Sequence, residues 1–287
     1  MLLKTKKFLI EKLDLNIRLS LVIPFLIFAI IFIVIPLIFI FVKAFTPISE
    51  VVDGEVVVND NYNLINENLW NIIGRSVWTG LVAAILSLMV ALPYSYFIAR
   101  SNNSIFRVAG LSLIISPMFI LTLVRVLALR GVSTAISGNE ALLNNEIFLI
   151  IGMIYVYLPF TIIPLYTVFR DMPKNIINSS EDLGYNLFMT FIKVVLPYSI
   201  KAILSGFVLV FLLSATSVGI SHKLLPNASQ TQLVGNLIDT FAVPANIFKV
   251  ASVSNVVIIT LALMTLAYLL IYFIPRLIMK LKGFKNV

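Results

Sequence analysis

The sequence predicts an all-α integral membrane protein with six transmembrane helices and a cytoplasmic helix-turn-helix between the fourth and fifth. Three observations carry this. Of 287 residues, 60% are hydrophobic and only 12% charged, against about 45–50% and 25% in soluble domains. Six uncharged apolar runs have the length of a membrane crossing. The basic residues collect on one side of the resulting topology. The same composition excludes a disordered chain, which needs low hydrophobicity and high net charge.

The spans follow from the gaps between charges. Leu19–Val42 holds 24 uncharged residues, Ser76–Ala99 24, and Val108–Val124 17, extendable to Leu129 if Arg125 is tolerated. Ile147–Phe169 holds 23, Ala202–His222 21 and Val250–Pro275 26. A spanning helix needs roughly 20 mostly apolar residues. The runs are continuous and do not alternate, so they are helices and not barrel strands. The first run is too long for a signal-peptide core and no small-residue cleavage site follows it, so it is expected to stay in the protein.

Orientation follows from the positive-inside rule. With the N-terminus inside, the tails and the 100–107 and 170–201 loops hold 15 of the 21 basic residues, and only Glu11, Asp14, Asp171, Glu181 and Asp182 of the acidic ones. The basic pI thus reflects topology, and nucleic acid is not an expected partner. The chain divides into a cytoplasmic or interfacial segment (1–19), a first transmembrane helix (20–42), an extracytoplasmic loop (43–71), a transmembrane domain (72–273) and a basic cytoplasmic tail (274–287). Phe8–Leu19 suits a helix lying on the inner membrane face or a charged topology anchor. The outer loop has a hairpin signal at Asp53-Gly54. Thr231–Thr240 reads as a short helix at the outer face.

Catalytic chemistry has little to work with. There is no cysteine, His222 is the single histidine, and no GxxxxGK[ST] phosphate loop occurs. No metal site or cofactor is expected, and the chain cannot hydrolyse ATP by itself.

The segment Arg170–Pro197 is too long for a simple connection and too apolar for a linker. Pro173 starts a helical piece whose Ile176, Ile177, Ser180 and Leu183 share a face at helical spacing. Gly184 permits the left-handed turn that ends a helix. A second piece carries Leu187, Phe188, Phe191, Ile192 and Val195, and Pro197 opens the fifth span. The product is a rigid cytoplasmic knob that a partner can grip, or a loop packed under its own bundle.

The run Asn178-Ser179-Ser180-Glu181-Asp182-Leu183-Gly184, nine residues, then Val194-Val195-Leu196-Pro197 resembles the EAA loop of binding-protein-dependent ABC importer permeases. That pattern is E-A-A, three residues, Gly, nine residues, Ile-x-Leu-Pro. The resemblance implies a type I importer permease whose coupling helix seats in a groove of a cytoplasmic ATPase. It makes Asn178, Ser179, Ser180, Glu181, Asp182, Gly184, Leu196 and Pro197 the candidate coupling residues. Asn178 stands in place of the usual glutamate and Ser179-Ser180 in place of the alanines, so Glu181 or Asp182 is the substitute for the acidic contact.

Leu123-Val124-Arg125-Val126-Leu127-Ala128, Tyr155–Phe160, Pro164-Leu165-Tyr166 and Gly235-Asn236-Leu237-Ile238 resemble segments of the spermidine/putrescine permeases. The acidic residue of that subfamily's GDF segment is missing around Ala215–Gly219. The resemblance implies a heterodimer with a second permease subunit, two ATP-binding subunits that carry the Mg-ATP, an extracytoplasmic solute-binding protein, and polyamine import by alternating access across the cytoplasmic membrane of a prokaryote. An ABC permease for another small solute is the alternative. A self-sufficient secondary transporter is disfavoured, because all thirteen acidic residues lie outside the apolar cores.

Polar groups inside spans are functional candidates. Arg125 is a structural anchor, snorkelling at the outer end of its span, or a pathway or gate residue. Tyr155, Tyr157, Ser214, Thr216 and Ser217 line a polar path or join helices by hydrogen bonds. Tyr155 and Tyr157 are about 200° apart on a helix and cannot face the same path. Pro93, Pro117, Pro159 and Pro164 are candidate kinks.

Overall fold

The computed structural model describes residues 22–52, 55–58, 61–227, 232–242 and 247–281. The interfacial segment 1–19 and the last residues of the basic tail lie outside the described residues. Four helices are long and apolar enough to cross a membrane singly: Ile23–Phe45, Glu67–Arg100, Glu146–Asp171 and Lys249–Phe273. Two bent pairs, if each is counted as one broken span, bring the number to six: Ser104–Phe119 with Thr122–Ser137, and Leu187–Tyr198 with Ile200–Ala215. Contacts divide the chain into two compact units, Met1–Leu64 with Pro244–Ile258, and Ile65–Val243 with Ile259–Val287.

In the smaller unit, α1 (Ile23–Phe45) contains a π turn at Ile30–Val34. Pro36 has no N–H to close an ordinary turn, and Ile35 N–H reaches back to Ile30 O instead. Ala44 is buried and Ala29 and Ile40 are half-buried, and its other side chains are exposed. Strands β1 (Ser49–Val52) and β2 (Glu55–Val58) pair antiparallel, with Val52 opposite Glu55. The hairpin signal in the sequence is therefore met by flanking strands, although its two turn residues lie outside those described. Asn61 Nδ2 donates to Ala44 O and Thr46 O, at 3.1 and 2.9 Å.

The larger unit is built on three mutually packed helices: α2 (Glu67–Arg100), α5 (Glu146–Asp171) and α8 (Ile200–Ala215). Small residues on α2, among them Ser76, Gly80, Ala83, Ala84, Ser87, Ala91 and Ser95, are its buried face. Membrane helices pack through such residues because lipid supplies no hydrophobic drive between apolar surfaces. A Cβ on Gly80 would stand 2.9 Å from Ala215 Cβ, and one on Gly206 3.2 Å from a Thr161 methyl. Helix α2 begins at Glu67, nine positions before the charge gap. Asn66 caps it by accepting from Leu69 N–H, and Arg75 is held by Glu146 at 3.2 Å. Pro93, Pro159 and Pro164 sit inside uninterrupted helices.

Two predicted spans are corrected. Val108–Val124 is not one helix. Helix α3 (Ser104–Ile115) passes into a 3₁₀ turn at Ser116–Phe119, and α4 (Thr122–Ser137) leaves at 106°. Pro117 is the cause, since it lacks the N–H that would continue the α ladder. Ala202–His222 also divides. Helix α8 stops at Ala215, and Gly219 at φ 78° starts the short α9 (Ile220–Leu224). The outer-loop helix is present as α10 (Val234–Phe241), and the last helix α11 runs Ile247–Leu281.

Between α5 and α8 lie α6 (Lys174–Asp182) and α7 (Leu187–Tyr198). Pro197 does not open the fifth span. It lies inside α7, which contains a π turn at Phe191–Val195 and meets α8 at a 74° bend. Pro197 cannot donate to a carbonyl one turn back, and Leu196 N–H bonds Phe191 O instead.

Candidate coupling hairpin and intramembrane polar groups

The α6–α7 hairpin turns at Gly184, whose φ is 83°. Tyr185 N–H donates to Ser180 O at 3.2 Å and Gly184 N–H to Glu181 O at 2.8 Å. These two bonds are the Schellman pattern, which only a residue tolerant of the left-handed region completes without strain. Asn186 then caps α7 by accepting from Met189 N–H at 2.8 Å. Lys193 Nζ stands 4.8 Å from the centre of the Tyr185 ring.

One side of the hairpin is rooted in the core. Ile176, Ile177, Phe191, Val194 and Val195 pack with Ile98, Ala99, Phe169 and Met172 at the ends of α2 and α5. Arg100 Nη2 donates to Met172 O at 2.9 Å and ties those two ends together. The other side is apolar and exposed: Leu183 is 79% exposed, and Leu187, Phe188, Met189 and Ile192 are open too. Leu183 was expected to share a helical face with Ile176, Ile177 and Ser180. The helix gives way to the turn at Leu183, so it projects from the tip.

The candidate coupling residues separate into two groups. Asn178, Ser179, Glu181, Asp182 and Gly184 are exposed. Ser180 is not an outward docking residue: it is 4% exposed and its hydroxyl lies 2.5 Å from that of buried Thr190. Leu196 is half-buried and Pro197 exposed, both in the last turn of α7 before the bend.

Arg125 is corrected in position. It lies in the first turn of α4, past the break, and only 6% of it is exposed. Snorkelling at a span end is excluded by that burial. Nη2 donates to Thr122 Oγ1 at 3.2 Å, while Nε and Nη1 have no hydrogen-bond partner among the described residues. Among the described residues no carboxylate or carbonyl is hydrogen-bonded to it.

Tyr157 packs inward against two core clusters, and Tyr155 is exposed, as their angular separation requires. Ser214 and Ser217 are buried, and their hydroxyls have no hydrogen-bond partner among the described residues. Thr216 is exposed and its hydroxyl donates to Leu212 O at 2.7 Å. The structure thus buries Arg125, Ser214 and Ser217, half-buries Tyr157, and leaves Tyr155 and Thr216 exposed.

Two groups were missed in the sequence. Asn236 on α10 accepts from Gly219 N–H and donates to Ser221 Oγ, clamping the start of α9. Beside it, a Cβ on Gly235 would stand 2.4 Å from Ser217 O. The Gly-Asn pair of the resemblance segment is therefore a packing joint. Asn255 on α11 donates to Ala44 O at 3.0 Å and Asn61 O at 2.9 Å. An asparagine inside the last apolar run was its available signal.

No family model matches the chain. Curated proteins do. The "Spermidine/putrescine transport system permease protein PotB homolog" of Mycoplasma genitalium is 32% identical over 272 residues, 90% of this chain and 92% of the relative. The protein of the same description from Mycoplasma pneumoniae is 36% identical over 198 residues, 66% of this chain and 68% of the relative. The permease protein PotB of Escherichia coli is 28% identical over 193 residues, 62% and 69% of the two chains. Among solved structures, a chain of a bacterial ABC transporter involved in the import of the acidic polysaccharide alginate shares the fold. The TM-score is 0.64 and the identity 16%, over 89% of this chain and 95% of that one. The helical membrane fold, the permease identity of the relatives and the near full-length match to one of them agree: this chain belongs to the family of spermidine/putrescine transport system permease proteins, membrane subunits that pass a solute and are not themselves catalytic.

Proposed function

We propose that the chain is one of two homologous permease subunits in an ATP-driven importer that carries polyamines across the cytoplasmic membrane of a prokaryote, with both termini in the cytoplasm. The carrying observation is the α6–α7 hairpin. It is a braced element with a rooted side and a bare apolar tip, in a chain whose sequence lacks the GxxxxGK[ST] phosphate loop. The tip residues Leu183, Leu187, Phe188 and Met189 fit a groove of an ATP-binding subunit, two copies of which supply the Mg-ATP. Exposed Glu181 and Asp182 offer the charge that Asn178 lacks. Closure of the ATPases pulls the hairpin, and the hairpin pulls the ends of α2 and α5 to which it is packed. A solute-binding protein delivers the substrate at the outer loops. Residues 72–273 form the transporting domain, and Tyr155, Thr216, Tyr157, Ser214 and Ser217 are the polar groups it offers to a path.

A second reading, a permease for another small solute, is favoured by one observation. The buried guanidinium of Arg125 has no acidic partner among the described residues, and a lone buried cation repels a polycation. The deciding experiment is uptake of labelled spermidine and putrescine by the complex reconstituted with its own binding protein. Uptake of both, abolished without ATP, is expected. Transport of a neutral or anionic solute with neither polyamine moved removes the polyamine reading and leaves the ATP-driven permease.

A further inference from the structure

The two alanines of the EAA pattern are serines here, and the structure distinguishes them. Ser179 faces outward. Ser180 faces inward and meets Thr190, and both are buried. One hydroxyl donates to the other at 2.5 Å, from α6 to α7, ten residues apart in sequence. Alanine at position 180 has no group to make this bond.

The position of the pair matters. The exposed tip lies at the Gly184 end of the hairpin, and the roots at Ile176, Ile177, Val194 and Val195 lie at the other. Ser180 and Thr190 stand between tip and root. The other braces are a backbone turn, a helix cap and an exposed Lys193–Tyr185 contact, all at or near the tip. Among the described residues this hydroxyl pair is the buried side-chain hydrogen bond that joins the two arms. Water is excluded there, so a lost partner is not replaced by solvent.

We propose that Ser180 and Thr190 are positioning residues: they lock the two arms so that the hairpin moves as one body, and a displacement imposed at Leu187 and Phe188 arrives undiminished at α2 and α5. This rests on the coupling reading above. Without the lock, α7 can shear along α6, and nucleotide-driven motion is spent inside the hairpin.

The test compares the assembled native complex in proteoliposomes with Ser180→Ala, Thr190→Val and Thr190→Ser. The readout is solute moved per ATP hydrolysed, which a mere loss of complex leaves unchanged. We expect that ratio to fall about two- to tenfold in Ser180→Ala and Thr190→Val, the range set by losing one hydrogen bond. Thr190→Ser keeps the hydroxyl and is expected to retain the native ratio. The chain has no cysteine, so spin labels at Asn175→Cys and Ile192→Cys report the arm-to-arm distance directly. Its distribution is expected to broaden in Ser180→Ala. An unchanged ratio in both hydroxyl-deleting variants, or a Thr190→Ser variant as poor as Thr190→Val, overturns the lock. A tip variant, Leu187→Asp with Phe188→Asp, separates the two levels: unchanged ATPase stimulation there sinks the coupling reading itself.

Discussion

The side-chain amide of Asn255 donates to the carbonyl of Ala44, although 211 positions separate them in the chain. The same amide also bonds Asn61 O, and Asn61 bonds Ala44 O in turn. Buried amides and carbonyls from three parts of the chain thus bond one another. Asn255→Leu removes both of the donations that Asn255 makes. We expect a loss of about 1–3 kcal/mol, read as a lower unfolding midpoint of the purified chain. A midpoint equal to the native one would show that the triad contributes no net stability.

Gly235 and Gly74 form a matched pair. At Gly235 a Cβ meets the Ser217 and Thr216 carbonyls at 2.4 and 2.7 Å, and backbone atoms cannot swing aside. At Gly74 a Cβ meets nothing within 4 Å. Gly235→Ala is expected to destabilise by about 1–3 kcal/mol and to lower uptake. Gly74→Ala, inside helix α2, is expected to be neutral or to stabilise by up to about 1 kcal/mol. Thermal unfolding of the two variants side by side checks the sign.

At Gly184 the surroundings are open and only the backbone is at issue. A β-carbon at φ 83° costs roughly 1–2 kcal/mol, and Asn is tolerated better than other residues there. Substrate-stimulated ATP hydrolysis by the assembled complex should therefore rank native, Gly184→Asn, Gly184→Asp, Gly184→Val. Membrane insertion should be equal in all four. A flat series would remove the turn from the coupling path.

Arg125→Met keeps the volume and removes a buried charge with two unused donors. Apolar replacement of a poorly compensated buried charge is often neutral or stabilising by about 1–4 kcal/mol. We expect an unchanged or raised unfolding midpoint together with reduced solute uptake, the signature of a charge kept for transport. A drop in stability with normal uptake would make Arg125 a structural anchor.

Reporter fusions after Phe8 and after Lys285 are both expected to report the cytoplasmic side, as the excess of basic residues at those ends requires. An external signal from either end would invert or break the six-span topology.

The positions of the crossings were legible because charges mark where a chain leaves lipid. The hairpin was legible for a different reason: Pro173, Gly184 and the apolar spacing are local signals. Direction was not legible. Nothing in Val108–Val124 differs in polarity across the break, so a run that turns by 106° reads like one that goes straight. Pro117 and Gly219 were the available marks, but prolines at 93, 159 and 164 remain within continuous helices. Facing was equally hidden. Ser179 and Ser180 are alike in sequence, and only packing reveals that one is bare and the other bonded.

The break after Phe119 bears on the lipid. The α-helical residues Ser104–Ile115 rise about 18 Å and the 3₁₀ turn Ser116–Phe119 about 8 Å more, whereas the hydrocarbon layer of a typical bilayer is about 30 Å thick. Even at full rise the run before the break is about 4 Å short of that layer. Leu113 and Phe119 on this short run are largely bare. A run that stops short of the full layer is matched best by a thinner one, so solute uptake in proteoliposomes is expected to fall as the acyl chains are lengthened.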